Sequence, residues 1–306
     1  MIIPHIGDTP WPPHPGQPVF LAQIDSTNQE AIRRAALETT NSLLLVAEQQ
    51  TAGRGQRGQA WESDGGLNLL CTWLIGGGGL PSSSAFLLNM AVACALCDTG
   101  AHWLGNQSKI KWPNDLWYLP GSNNFDAGEI NPTVTSPLIE DKKVSDLGRK
   151  WGGILIENQI SGVVCRHSAI GFGLNINQTR FGQHLPLAAS LKSITGKEVN
   201  RDEVLHLAIN QMRTWLEKIK RDEHIVISDG YLNRLWGCHE FCDFSLNGNR
   251  FSARIEGVDP QTGELIIFDG RQILRGVHPE LRQCVPCTES ETEDSEILSA
   301  KCSQNV

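Results

Sequence analysis

The chain has 306 residues, of which 40% are hydrophobic and 20% are charged, and its formal net charge is −8. This length suffices for one large and one small domain, each with an apolar core. The acidic balance argues against a general nucleic-acid binder, which would usually be basic. No apolar run approaches the ~20 residues of a membrane span, and the N-terminus lacks the pattern of a secretory signal. The nine cysteines are therefore expected to be reduced thiols of a cytoplasmic protein.

The first elements follow from the spacing of apolar residues. Residues 1–19 are rich in proline and glycine and predict an extended arm. Periodicity predicts a helix over 27–38 and a buried helix over 82–103. Apolar runs and a capping sequence predict the other elements: strands at 43–47, 67–75 and 109–112, paired strands at 151–157 and 163–172, and a helix that begins at Asn200 and runs to about Lys220.

Together these elements predict an α+β domain around a mixed sheet over 20–236. The polar stretch 119–148 predicts a long surface insertion. Short strands separated by turn sequences predict a small all-β barrel over 237–284, and 285–306 has the acidic, serine-rich composition of a disordered tail. Whether four cysteines of the barrel region hold a structural zinc ion stays open at this stage: Cys238, Cys242, Cys284 and Cys287.

One glycine-rich segment, 53–58, matches the G-x-G-x-x-G spacing of dinucleotide-binding proteins. That site requires a helix to begin at the third glycine, but no helical pattern follows Gly58. Glycines also permit a close backbone approach to a ligand, and Arg54 and Arg57 can bind carboxylates or phosphates. We therefore expect a loop that closes around an anion, the alternative being a solvated turn with incidental arginines.

Five motifs occur in a fixed order: 25–28 (DSTN), 53–61 (GRGQRGQAW), 111–115 (KWPND), 150–155 (KWGGIL) and 171–177 (GFGLNIN). In this order they resemble the biotin–protein ligase family, over roughly 20–283. The resemblance implies a catalytic domain like that of class II aminoacyl-tRNA synthetases, followed by an SH3-like barrel. It also implies an enzyme, a biotin–[acetyl-CoA-carboxylase] ligase. Such an enzyme uses ATP and Mg²⁺ to form biotinyl-5'-AMP and transfers biotin to a lysine of the biotin carboxyl carrier protein.

The resemblance also implies the site residues. The catalytic set is Arg54, Arg57, Lys111, Asp115 and Lys150. The biotin-binding set is Ser26, Thr27, Gln50, Gly53, Arg54, Lys150 and Gly153. The adenylate-binding set is Arg57, Trp61, Lys111, Asn114, Asn175 and Asn177.

Several of these roles have structural alternatives. Ser26 or Thr27 can simply cap a helix, Trp61 can be a packing residue, and Lys111 and Lys150 can be surface lysines. Asp115 either binds Mg²⁺ or helps to deprotonate the acceptor lysine, which is charged at pH 7.

The chain departs from the family pattern at Gln56, where an arginine that helps to retain the adenylate is usual, and at Gln59, which is often basic. A helix-turn-helix before Asp25 is not expected, so we predict a ligase without DNA-repressor function. The oligomeric state stays open, a homodimer included. Three other functions remain: a lipoate ligase or octanoyl transferase, a non-catalytic biotin sensor, and a DNA-binding repressor.

Overall fold

The computed structural model describes residues 11–37, 41–76, 80–121 and 148–284. Most of the predicted insertion, the predicted tail and the first ten residues of the predicted arm lie outside the described residues. Seven strands form one sheet, in the order β1-β2-β3-β7-β6-β5-β4. The strands are β1 (Val19–Leu21), β2 (Ser42–Ala47), β3 (Leu69–Gly76), β4 (Ser108–Lys111), β5 (Asp115–Tyr118), β6 (Arg149–Ser161) and β7 (Val164–Leu174).

The predicted mixed sheet is confirmed, because β1 and β2 run parallel while the other neighbours run antiparallel. Helices cover both of its faces. They are α1 (Thr27–Leu37), α2 (Ala85–Leu104), α3 (Leu191–Thr195), α4 (Arg201–Lys220) and α5 (His224–Arg234).

The two faces of the sheet are covered unequally. On one face, α1 packs Ala31 against a small cluster of Leu45, Leu74 and Ala169. On the other face, a much larger apolar cluster joins the sheet to α2 and α4. Because α1 has only 11 residues, it covers only part of this face of the sheet. The rest is left for loops and side chains from other elements.

Helix α2 lies inside a segment, Ser82–Gln107, that is long and apolar enough to cross a membrane by length and composition. The prediction that no segment reaches that length is therefore wrong. Most of this segment is buried inside the protein, however, which is the arrangement expected of a core helix.

The second sheet contains five antiparallel strands, in the order β11-β10-β9-β8-β12. They are β8 (Phe241–Leu246), β9 (Asn249–Val258), β10 (Leu265–Phe268), β11 (Ile273–Gly276) and β12 (Leu281–Gln283). Asn247 and Gly248 both have positive φ angles, as the predicted two-residue hairpin turn requires.

The small sheet packs against the large domain through aromatic side chains. The Trp112 indole donates a hydrogen bond to the Gly263 carbonyl oxygen (3.1 Å). The Trp117 and Trp236 rings lie 5.6 Å apart.

Three of the four cysteines considered for a zinc site lie in the described part of the chain. Among the described residues, no group of three His, Cys, Asp or Glu side chains could hold a metal ion. Cys238, Cys242 and Cys284 therefore form no zinc site together, and Cys287 lies outside the described residues.

Candidate active site

Three glycines line the sheet face beside the first turn of α1. Gly153 on β6 pairs with Gly173 on β7, and Gly171 lies two residues along on the same face. A Cβ at Gly173 would overlap Trp61 and one at Gly171 would overlap Asn28, whereas one at Gly153 would make a tight contact of 3.1 Å with Trp61. We call Gly153, Gly171 and Gly173 the glycine floor, because the absence of side chains lets Trp61 and Asn28 lie directly on the backbone there.

Asn28 lies across three strands at one end of the glycine floor. Its Nδ2 donates to the Leu155 carbonyl oxygen (3.1 Å) and to Glu157 Oε2 (2.9 Å). Its Oδ1 accepts from Thr72 Oγ1 (2.6 Å). The amide is therefore satisfied on both sides, which fixes the Glu157 carboxylate beside the floor.

Gln50 closes this end of the site. Its Oε1 accepts from the Thr27 backbone N–H (2.8 Å) and from Thr27 Oγ1 (3.0 Å). Thr27 therefore has a role besides beginning α1, because its hydroxyl holds the Gln50 side chain in place. Ser26, immediately before the helix, is buried as well. Gly53 is required here because a Cβ would overlap the Trp61 carbonyl oxygen and approach Gln50 Nε2 to 2.9 Å.

Residues 53–61, the Gly–Arg loop, fold back on themselves. The Trp61 N–H donates to the Gly53 carbonyl oxygen (2.9 Å), and the Gly55 N–H donates to that of Gln59 (2.7 Å). At the tip, a single turn of 3₁₀ helix over Gln56–Gly58 places Arg57 at a φ of 56°. No α-helix begins at Gly58, so the dinucleotide-binding interpretation is excluded. The loop carries Trp61 onto the floor, where the indole Nε1 is buried without a hydrogen-bond partner.

A β-bulge turns Lys150 toward the floor. Leu116 pairs with Gly152 and Trp117 with Lys150, so Trp151 is the extra residue of β6. An extra residue changes which face the following side chains occupy. Trp151 enters the apolar core with no exposed surface. Lys150 joins the face of Gly153, where its Nζ lies 2.7 Å from Asp115 Oδ1 and 5.7 Å from the centre of a Trp61 ring.

The turn between β4 and β5 brings Lys111 and Asp115 opposite each other. Buried groups hold this turn, because the Pro113 carbonyl oxygen accepts from Tyr231 Oη (2.7 Å) and from Asn89 Nδ2 (3.0 Å). Lys111 Nζ lies 5.6 Å from the centre of a Trp117 ring. The two lysines of the predicted catalytic set therefore lie on β4 and β6, the strands on either side of Asp115.

The three predicted asparagines differ in what they contact. Asn114 Nδ2 donates to the Ile154 carbonyl oxygen, and the Asn177 amide makes two hydrogen bonds with the Val199 backbone. Both therefore support the backbone. The Asn175 Oδ1, by contrast, is buried without a hydrogen-bond partner. The adenylate roles of all three remain predictions.

The C-terminal domain adds one cation, Arg282, and one histidine that the sequence motifs do not contain. Burial and the nearby Arg57, Lys111 and Arg282 lower the pKa of His278 to about 4. Burial and the charge of Arg282 also lower the pKa of Arg57. With a pKa of about 4 the imidazole is neutral at pH 7, so the positive charge at the end of the site where Asp115 lies comes from Arg57, Lys111 and Arg282, an arrangement that suits a polyanion.

A cavity of about 330 Å³ opens beside the Gly–Arg loop. Trp61 lies on one side of it, and Gln178 and Arg180 lie on the other. The volume is at the lower end of the range for small-molecule sites. His184 Nε2 and Glu62 Oε1, 2.9 Å apart, join the two walls.

The structure thus brings together Thr27, Gln50, Gly53, Gly153 and Trp61 at the floor, and Lys111, Asp115 and Lys150 at its end. Arg54 is apart from the second group, since it faces Glu157 at 3.8 Å. The sequence analysis missed residues that lie outside the five motifs and reach the site one at a time from other elements: Thr72, Glu157, His278 and Arg282.

Comparison with known proteins agrees with these observations. A model of the biotin/lipoate A/B protein ligase family matches residues 20–175. A biotin–[acetyl-CoA-carboxylase] ligase of Paracoccus denitrificans is 28% identical over 278 residues, 88% of this chain and 98% of that protein. The bifunctional ligase/repressor BirA of Bacillus spizizenii is 30% identical over 190 residues, 61% of this chain but only 50% of that protein.

Among solved structures, the biotin protein ligase from Aquifex aeolicus in complex with biotin and ATP superimposes with a TM-score of 0.66. The two chains are 20% identical, and the match covers 88% of this chain and 100% of the other. At this identity the likeness shows a shared fold with a mixed sheet.

Proposed function

Because the chain belongs to the biotin/lipoate A/B protein ligase family, we propose that it activates biotin with ATP to biotinyl-5'-AMP. It then transfers biotin to a lysine of the biotin carboxyl carrier protein of acetyl-CoA carboxylase. The Paracoccus relative, which matches nearly its whole length, carries that activity in its name. The seven-stranded domain is then of the class II aminoacyl-tRNA synthetase type and the second domain SH3-like, with the boundary at 236/237. A cytoplasmic location agrees with the seven described cysteines, all of them free thiols.

One observation carries this proposal: the bulge at Trp151 places Lys150 at one end of the glycine floor, while Gln50 and Thr27 close the other. The ureido ring of biotin is neutral and both donates and accepts hydrogen bonds, which matches the amide and hydroxyl end. The biotin carboxylate then points toward Lys150. A polar end that recognises the ring and a cationic end that receives the carboxylate fix the direction in which biotin lies.

In the first step, a carboxylate oxygen attacks the α-phosphorus of ATP and pyrophosphate leaves. The cations of the site offset the repulsion between these two anions. Two anions must approach each other, and preorganised positive charge lowers the cost. Lys150 stands at the point of attack, and Arg57, Lys111 and Arg282 stand where the leaving phosphates would lie. Binding of the ligand to Lys150 releases Asp115 from its ion pair, and its carboxylate can then accept a proton from the acceptor lysine.

Mg²⁺ suits this site only as a partner of ATP. In the described ranges, no three metal-binding side chains are grouped. Proteins often hold Mg²⁺ with one or two carboxylates plus substrate phosphates, and Asp115 is placed to be that single carboxylate. Bound there, the ion would offset phosphate charge.

Labelled biotin, ATP, Mg²⁺ and a biotin carboxyl carrier domain test the proposed function directly. We expect label on one lysine of the carrier and release of pyrophosphate. A carrier with that lysine replaced by arginine is the control. ATP-dependent transfer of lipoate alone, or acyl transfer from an octanoyl donor without ATP, would assign the chain to another branch of the family. Tight biotin binding without transfer would indicate a sensor.

Gln56 predicts how firmly the intermediate is retained. A glutamine makes neutral hydrogen bonds of about 1 kcal/mol, whereas an arginine makes charged ones of about 1.5–3 kcal/mol. The difference is about 0.5–2 kcal/mol, so Gln56→Arg should slow release of biotinyl-5'-AMP roughly 2–30-fold. The measurement is the rate at which labelled adenylate leaves the enzyme without acceptor. An unchanged rate would mean that Arg57 already fills this role.

We also propose that the protein does not repress transcription by binding a specific DNA sequence, although the Bacillus relative is named a ligase/repressor. The net charge of −8 supports this, because DNA binding depends on neutralising phosphates. We expect no sequence-specific gel shift at about 150 mM salt, with or without biotin and ATP. A shift that survives unlabelled non-specific DNA would refute this.

A further inference from the structure

Arg54 is grouped by its motif with the anion-binding residues, but the structure places it elsewhere. Its Nη1 lies 3.8 Å from Glu157 Oε1 on β6. Lys150 is seven residues earlier on the same strand, which corresponds to roughly 23 Å at ~3.3 Å per residue. In this arrangement Arg54 lies at the ring end of the site, not at the carboxylate or phosphate end.

The partner of Arg54 is held rigidly. Glu157 accepts a hydrogen bond from Asn28 (2.9 Å), and Asn28 is buried and bonded to Thr72 and Leu155 as well. The Glu157 carboxylate is thus fixed to the sheet, while Arg54 belongs to the loop and is half exposed. An ion pair between a fixed group and a loop group restrains the loop.

The pair also crosses the mouth of the site. The Gly–Arg loop begins beside Gln50, just beyond β2, whereas Glu157 lies on β6, three strands away in the order β2-β3-β7-β6. At ~4.8 Å between strands this is a distance of roughly 14 Å. A contact that joins these two sides passes over Thr72 and Gly171 and covers the end of the glycine floor.

We propose that Glu157 is a positioning residue, which holds the Gly–Arg loop closed over the ring end of the site by pairing with Arg54. Arg54 is then a closing contact and not a ligand of the biotin carboxylate. Its separation from Glu157 exceeds hydrogen-bonding distance, so the pair can open to admit a ligand and close again. The closing role itself does not need a ligand, but the effect on biotin rests on the proposed function.

Glu157→Gln tests this cleanly, since the amide oxygen can still accept from Asn28 while the charge facing Arg54 is lost. In the ligand-free protein, hydrogen exchange at the Gly55 and Trp61 amides reports opening of the loop. We expect exchange about two- to fivefold faster, the range for a partly exposed ion pair. Glu217→Gln, which removes an ion pair between α4 and Arg221 immediately after it, should leave these amides unchanged.

A double-mutant cycle separates the closing role from a direct role of Arg54. Arg54→Gln and Glu157→Gln should each speed loop exchange and dissociation of labelled biotin by similar factors, and the double variant should add nothing. Unchanged exchange in Glu157→Gln, or additive effects in the double variant, would overturn the proposal. If wild type does not bind biotin at all, the proposed function fails, and the exchange data alone decide the closing role.

Discussion

Lys150→Ala is expected to lower the rate of biotinyl-5'-AMP formation by roughly 10²–10³, the loss that follows removal of one preorganised charge contact. The bulge at Trp151 aims this amine at the site, and no other described cation shares its place beside Gly153. The alanine chain should still fold. Lys150 holds its neighbours through backbone hydrogen bonds to Leu187 (2.8 Å) and Ala189 (2.9 Å), which the substitution keeps.

The measurement is single-turnover pyrophosphate release without acceptor, together with thermal unfolding of the same sample. Lys192→Ala is the matched control, because that lysine is equally exposed and also paired with a carboxylate, Glu198. Lys150→Arg keeps the charge but not the point-like ammonium, so partial activity there would support an electrostatic role. Turnover of Lys150→Ala within about threefold of wild type would remove Lys150 from the mechanism.

The sequence predicted the long elements of the fold well, since each carries its own periodic signal. The two predicted helices correspond to α1, which is described as far as Leu37, and to α2, which begins three residues later than predicted, after a 3₁₀ turn. The strand pair and the Asn200 cap are confirmed; Asn200 Oδ1 accepts from the Asp202 and Glu203 N–H groups. The predicted strand over 109–112 ends one residue early, because Trp112 belongs to the turn. Short elements were missed: β5 has four residues and α3 has five, too few to show a period. Helix α5 was missed because it buries only Ile227 and Tyr231.

The site was predictable where a motif places several groups together, as in KWPND and KWGGIL. It was not predictable where a single residue arrives from a distant element. Glu157 and Thr72 are polar residues on apolar strands, and His278 and Arg282 are more than 200 residues from Arg57 in sequence. The sheet face on which the Lys150 side chain lies depends on the register between β5 and β6, and no local sequence pattern predicts that register.

Adding a single methyl group to the glycine floor is expected to weaken ligand binding strongly. Gly173→Ala should weaken binding of biotin and of the adenylate about 5–150-fold, the equivalent of 1–3 kcal/mol of overpacking. The backbone tolerates alanine, because Gly173 lies in a regular strand without a positive φ. The added Cβ, however, would overlap the Trp61 indole, so Trp61 must leave its place or the Gly–Arg loop must lift.

Two further variants identify Trp61 as the cause. Gly257→Ala places a Cβ in ordinary contact with Ile266, 3.6 Å away in the second sheet, and should bind biotin as wild type does. Adding Trp61→Leu to Gly173→Ala replaces the indole with a smaller side chain and should recover part of the lost affinity, a non-additive result typical of residues in contact. Equilibrium dialysis with labelled biotin measures all four proteins. If Gly173→Ala binds normally, or if Trp61→Leu only adds to its defect, Trp61 does not lie on the glycine floor when the ligand is bound.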